Sequence, residues 1–310
     1  MKIIYMGTPE IAVPALLKII EAGHKVLCAV TQPDRAKGRH KELIACPVKQ
    51  AASEHGIPVL QPEKARDEAF IEQLKTYEPD VIVVMAYGQI LTKALLDIPR
   101  FGCINIHASL LPKYRGAAPL NAVILNGEIE TGVTTMFMDE GLDTGDMLLK
   151  AAVAIDPKET TETLEPKIAS IGGELIIDTL NRLEQGTLER IPQNDADSTY
   201  VRMMKKEEGL IDWTQDAAAI ERRIRAFYPW PGTYTNHEGH RIKIYDADVV
   251  SGDYFDFAPG TIIDLGKDFI LVACGNDALK LNDLQAEGKK RMLAADFLRG
   301  YKLSKGDILA

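Results

Sequence analysis

At 310 residues, 46% hydrophobic and 26% charged, the chain has the makeup of an ordinary soluble globular protein, with room for a sizeable core and for two domains. Its formal charge of −9 excludes a globally basic nucleic-acid binder, so any phosphate partner has to be met by local patches of Lys and Arg.

The first apolar run, 2–6, reads as a strand. It is too short for the apolar region of a signal peptide and leads straight into a turn, so a cytoplasmic protein with no membrane partner is expected. The turn, Gly7-Thr8-Pro9-Glu10, invites a dinucleotide reading with Asp34 as the ribose carboxylate. That reading fails: the fingerprint needs three glycines at set spacing, only Gly7 is present, and Pro9 withdraws a backbone donor. A helical stretch at 14–22 and a strand at 25–31 follow.

A loop then carries Arg35, Lys37, Arg39 and Lys41 around Gly38. Such a charge run is by itself most often a solvated face, although the same cations can grip nucleic-acid phosphates and be ordered by doing so. Helical stretches at 48–55 and 68–77 lead to Val81-Ile82-Val83-Val84-Met85, a strand apolar on both faces, which implies a largely parallel sheet covered by helices. In such sheets ligands bind outside the carboxyl ends of the strands.

At the end of the next run, 103–107, stand Asn105 and His107. Alternate strand residues share a face, so an amide and an imidazole project together. The pair suits chemistry on a carbonyl: the amide N–H can stabilise an oxyanion while the imidazole moves protons near neutral pH. Each residue alone is more often structural than catalytic. The string Ser109-Leu110-Leu111-Pro112-Lys113-Tyr114-Arg115-Gly116-Ala117-Ala118-Pro119 follows, then a helical stretch at 120–125 and a strand at 133–138. Beyond that strand, three carboxylates, Asp139, Asp143 and Asp146, occupy a glycine-bounded turn, and spacing does not choose among them. A long helix at 161–183 is expected to close the domain.

From Gly186 to Lys206 the chain turns polar and loses periodicity, as a linker does. After it come a helical stretch at 217–226 and short strand-like runs at 241–245, 260–264, 269–273 and 278–281, which suggest a small barrel. Residues 207–310 hold 13 Lys plus Arg against 17 Asp plus Glu, so this part is not globally basic either. Its basic clusters are Arg222 and Arg223, with Arg225 beside them, and Lys289-Lys290-Arg291. Four cysteines, Cys28, Cys46, Cys103 and Cys274, lack CxxC spacing, which argues against a zinc site or a disulfide framework.

Asn105, His107, the string from Ser109 to Pro119 and the Leu142-Asp143-Thr144-Gly145-Asp146 turn together resemble the folate-dependent formyltransferases. The resemblance runs from Met1 to about Gly186. A second one, over about Lys205 to Ala310, is to the C-terminal domain of those members that act on a methionyl-tRNA. It implies an α/β protein: a Rossmann-like, mostly parallel sheet of the formyltransferase fold at 1–188, a linker at 189–206, and a smaller OB-like β-barrel domain for tRNA at 207–310. It implies Asn105, His107 and Asp143 as the catalytic trio. It implies Ser109, Leu110, Leu111 and Pro112 as the segment that contacts folate, with Met85 and Tyr87 as a more loosely supported pocket wall. Arg39 matches the key arginine of a basic insertion, so Arg35, Lys37, Arg39 and Lys41 become tRNA contacts; Arg222, Arg223, Lys289, Lys290 and Arg291 are weaker candidates. The donor implied is 10-formyltetrahydrofolate, the partner an initiator methionyl-tRNA, with no metal. A monomer is expected.

Overall fold

The computed structural model describes residues 1–37 and 42–310. It falls into two compact units, one made of Met1–Pro119, Glu130–Ala154 and Glu165–Val201, the other of Leu120–Ile129, Ile155–Leu164 and Arg202–Ala310.

The strands of the first unit are β1 (Lys2–Gly7), β2 (Lys25–Val30), β3 (Arg35–Lys37), β4 (Glu42–Ile44), β5 (Val59–Leu60), β6 (Val81–Met85), β7 (Cys103–His107), β8 (Arg115–Gly116), β9 (Glu130–Phe137), β10 (Met147–Ala154) and β11 (Tyr200–Val201). Seven of them form one sheet in the order β10-β9-β7-β6-β1-β2-β5. The pairs from β7 through β6, β1 and β2 to β5 are parallel, while β9 and β10 are added antiparallel. All five residues of β6 are buried, as a strand covered on both faces requires. The mostly parallel α/β sheet anticipated from the sequence is therefore what the chain builds.

Two stretches differ from their sequence reading. The described flanks of the basic loop are paired strands, β3 running antiparallel to β4, because pairing satisfies backbone groups that a loop would leave to water. Arg39 and Lys41 lie outside the described residues. The polar stretch expected as a linker is built onto the first unit as far as Val201: Ile191 pairs with Met147, and β11 runs parallel to β8. Gly116 shows how closely it lies. Its φ is +106°, and a Cβ there would sit 2.3 Å from the Val201 carbonyl oxygen.

The second unit holds β12 (Thr233–His237), β13 (His240–Val250), β14 (Ile262–Leu265), β15 (Ile270–Ala273), β16 (Ala278–Ala286) and β17 (Met292–Leu293), paired antiparallel in the order β12-β13-β16-β15-β14 with β17 on β16. The final residues link the two edges. Ala310 exchanges backbone hydrogen bonds with Asn236 of β12, and Leu309 N and Asp307 O bond Gly260 and Ile262 beside and within β14. Filling the gap between edge strands gives the sheet a barrel-like closure and removes unpaired backbone groups. Ile211, Trp213, Ile220, Ile242, Leu281 and Phe297 belong to the core of this unit. The Trp213 indole N–H donates to Thr235 at 3.0 Å, so its burial leaves no orphaned donor.

Candidate active site

Asn105 and His107 emerge on one face at the carboxyl end of β7, as the two-residue period dictates. His107 is 6% exposed, and its two ring nitrogens have different surroundings. Nε2 lies 2.9 Å from the Tyr114 carbonyl oxygen, which can only accept, so Nε2 carries a hydrogen and donates. Nδ1 is left facing the Asp143 carboxylate at 3.6 Å.

Asp143 is the point on which the site converges. The Gly116 N–H donates to Oδ2 at 2.8 Å, and the Asn105 amide N–H reaches Oδ1 at 3.4 Å. Its neighbours are occupied elsewhere: Asp139 accepts from the Gly141 N–H and the Thr144 hydroxyl, and Asp146 from Arg190 Nε at 2.9 Å. Sequence spacing left three carboxylates open, and the fold brings Asp143 to Asn105 and His107. Asp143 takes a left-handed backbone, φ +54°, where a residue with a side chain rarely rests without support.

The loop after β7 is anchored from beneath. Thr134 of β9 donates its hydroxyl to the Ser109 carbonyl at 2.7 Å and accepts from the Leu111 N–H at 3.1 Å. Lys150 of β10 donates to the Leu111 carbonyl, and burial pushes its ammonium below the ordinary lysine range. Leu111 packs on Met136 and Met147. Ser109 is buried with its hydroxyl donating to the Lys113 carbonyl, so Leu110 and Pro112 are the half-exposed members of the expected folate segment. Met85 and Tyr87 are 1% and 2% exposed, with Tyr87 in the apolar core and its phenol pushed up to about 12 by burial. The surface at that strand end belongs instead to Ala86 and Gly88, both at positive φ, with the intervening Tyr87 buried between them. They border a cleft of about 750 Å³ at the carboxyl ends of β1, β2 and β6, together with Thr8, Gln32, Asp34 and Arg35.

The weaker cationic candidates are spread over the second unit. Arg222 Nε donates to the Leu125 carbonyl at 3.1 Å and Arg223 to the Glu208 carbonyl at 3.1 Å. Arg291 is held by Asp283 and lies against the rings of Tyr228 and Tyr245, whereas Lys289 and Lys290 are exposed. Sequence reasoning assigned no role to Gly116 N–H, the Tyr114 carbonyl, Arg115 or Gln193. The first three lie inside the string that carries the resemblance, but the polar surroundings of Gln193 offered no signal. Among the described residues no group of three or more His, Cys, Asp or Glu side chains is gathered for a metal, and no helix is long and apolar enough to cross a membrane.

A mostly parallel sheet brings an amide, an imidazole and a carboxylate together at one strand end, a grouping whose chemistry suits a carbonyl substrate, and the comparisons give the family. Residues 1–180 match the formyl transferase family and residues 203–302 the formyl transferase C-terminal domain. The chain belongs to the formyl transferase family. Over its whole length it is 54% identical to the methionyl-tRNA formyltransferase of Citrifermentans bemidjiense, covering 96% of that protein. It is 49% identical to the protein of that name from Lachnospira eligens, covering 99% of it. In fold, 94% of the chain superposes on 99% of WlaRD, a sugar 3N-formyl transferase, with a TM-score of 0.65 at 19% identity. HypX from Aquifex aeolicus, solved with tetrahydrofolic acid, matches 99% of the chain with a TM-score of 0.65 at 16% identity; the chain spans 50% of HypX.

Proposed function

We propose that this chain transfers the formyl group of 10-formyltetrahydrofolate to the α-amino group of methionyl initiator tRNA, with Asn105, His107 and Asp143 as its catalytic residues. The observation that carries the chemistry is the convergence of Asn105 and His107 on the Asp143 carboxylate at the end of β7. The full-length similarity to methionyl-tRNA formyltransferases carries the choice of acceptor.

The donor supplies the formyl carbon that the amine attacks. Asn105 has two amide hydrogens; one points to Asp143, which orients the group, and the other is available to the formyl oxygen as negative charge builds on it. A donor of that kind is worth roughly 2.7–4 kcal/mol of barrier. With Nε2 committed to Tyr114, His107 works through Nδ1, taking a proton from the attacking amine and delivering it to the departing nitrogen. Asp143 faces the atom on which that proton travels and fixes the ring's orientation. Leu110 and Pro112 offer an apolar surface to the donor's ring system, with backbone groups at Ala86 and Gly88 across the strand ends. The cations Arg35, Lys37, Arg39 and Lys41 serve the phosphates of the tRNA acceptor end, and exposed Lys289 and Lys290 are further candidates.

The test is formyl transfer from 10-formyltetrahydrofolate to methionyl initiator tRNA, compared in one assay with methionyl elongator tRNA, glycinamide ribonucleotide and water. Rapid formylation of the initiator alone supports the reading. Formate release or labelling of the small amine leaves the chemistry and removes the acceptor.

A further inference from the structure

Gln193 stands in a polar, largely exposed stretch, yet its side chain is committed to the site. Its Oε1 accepts from Arg115 Nε at 3.0 Å, and its Nε2 donates to the carbonyls of Asp143 and Gly145, both at 2.8 Å. An amide nitrogen has two hydrogens to give, and this one spends both on the turn that carries Asp143.

That turn needs such a hold. Asp143 sits at φ +54°, and Gly145 has no room for a side chain, because a Cβ there would lie 1.9 Å from the Phe137 carbonyl oxygen. The seat beneath Gln193 is equally constrained. Arg115 is 1% exposed, and its remaining nitrogens donate to the Tyr200 hydroxyl at 3.0 Å and to Asp195 at 2.9 Å. The next residue, Gly116, gives its N–H to the Asp143 carboxylate itself. Residues 115–116 and 193 therefore grip Asp143 from both sides, one through its carboxylate and the other through its backbone. All of these residues belong to the first compact unit.

We propose that Gln193, seated on the buried Arg115, is a positioning residue that holds the Asp143 carboxylate in place against His107 and Asn105, an inference that rests on the function proposed above. Without its two donated bonds the turn relaxes from the left-handed conformation and the carboxylate shifts. A displacement of about 1 Å in a catalytic group costs about a hundredfold in rate.

Two variants separate this from a general structural role. Gln193→Glu keeps the length and the acceptor for Arg115 but has no hydrogen for the two carbonyls; Gln193→Met loses all three bonds. Both are measured for kcat, for KM of donor and acceptor, and for hydrogen exchange of the peptide 139–147. Expected in both are a kcat lowered by about 10- to 100-fold with KM within about twofold, and faster exchange at 139–147 while the rest of the protein exchanges as before. Wild-type kcat and exchange in Gln193→Glu overturn the proposal. So does a loss confined to Gln193→Met, which makes Gln193 a seat for Arg115 and nothing more. Should Gln193→Met fail to fold, Gln193→Glu decides alone. If the unaltered protein does not formylate methionyl-tRNA, the functional reading falls, while exchange at 139–147 still tells whether Gln193 holds the turn.

Discussion

The Asp143 carboxylate stands 3.6 Å from Nδ1 of His107, whose other ring nitrogen already donates to the Tyr114 carbonyl at 2.9 Å. The imidazole therefore has one nitrogen left for chemistry, and that nitrogen faces a carboxylate. His107→Ala and Asn105→Ala are expected to lower turnover by at least about a hundredfold while folate affinity is retained, since each acts mainly in the transition state. Asp143→Asn keeps an acceptor for the Gly116 N–H but removes the charge, and turnover is expected to fall by about ten- to a hundredfold. Initial rates against donor concentration measure all three, and near-normal turnover in any variant removes that residue from the mechanism.

Gly116 lies closely against β11. With φ at +106° and the Val201 carbonyl oxygen 2.3 Å from where a Cβ would stand, Gly116→Ala is expected to cost about 2–3 kcal/mol in urea unfolding. A loss below about 0.5 kcal/mol would show that residues 200–201 do not bind this strand in solution.

The root of the basic hairpin carries a pH signature. Hydrogen bonds from Lys49 and then from Gln61 hold the Asp34 carboxyl below the usual carboxylate range. A folded-state value lowered in this way adds stability above the unfolded value of about 3.9, which is lost as the pH falls through the folded value. Lys49→Met removes the larger contribution. It is expected to destabilise the protein by about 1 kcal/mol at pH 7, the difference staying level until the pH approaches about 4 and narrowing below that. Urea unfolding at a series of pH values checks it, and a difference that widens on acidification contradicts the assignment.

The cations Arg35, Lys37, Arg39 and Lys41 should register in salt dependence. Arg39→Ala is expected to weaken catalysis with charged tRNA and to lower the slope of log kcat/KM against log salt by about 0.7–0.9, the counterion release of one phosphate contact. An unchanged slope leaves Arg39 without a phosphate role.

Cysteine reactivity provides a test of the cores. Cys28, Cys103 and Cys274 are buried, which pushes each thiol up to about 12, while Cys46 is partly exposed. Mass spectrometry after iodoacetamide treatment at pH 8 should find Cys46 modified first and the other three only on unfolding. Early labelling of Cys103 would mean that the start of β7 opens readily.

Much of the fold could be read from local pattern. The unbroken apolar run at Val81–Met85 announced a strand buried on both faces, and the polar residues inserted at every second place in 103–107 announced Asn105 and His107 on one side. β10 was missed for an equally local reason. Its burial alternates from Leu149 to Ala154, but the sequence MLLKAAVA is apolar nearly throughout and hides the period. The stretch around Gln193 was read as a linker because its partners, Met147, Arg115 and the Asp143 turn, lie about 45 to 80 residues away.

The sequence by itself determined five of the seven strands of the main sheet and the shared face of Asn105 and His107, because side-chain periodicity and near-neighbour spacing are written along the chain, and its motifs carried the family resemblance. Spacing left three carboxylates open and the family resemblance pointed to Asp143; only the tertiary structure decided that this carboxylate faces the imidazole, which imidazole nitrogen is free to meet it, and which distant amide holds its turn. Those arrangements are made by hydrogen bonds between residues 38 and 50 positions apart, as from Asn105 to Asp143 and from Gln193 to Asp143, and by a loop that brings the carbonyl of Tyr114, seven positions on, back onto His107. No period in a sequence encodes which distant groups satisfy one another once the backbone has closed around them.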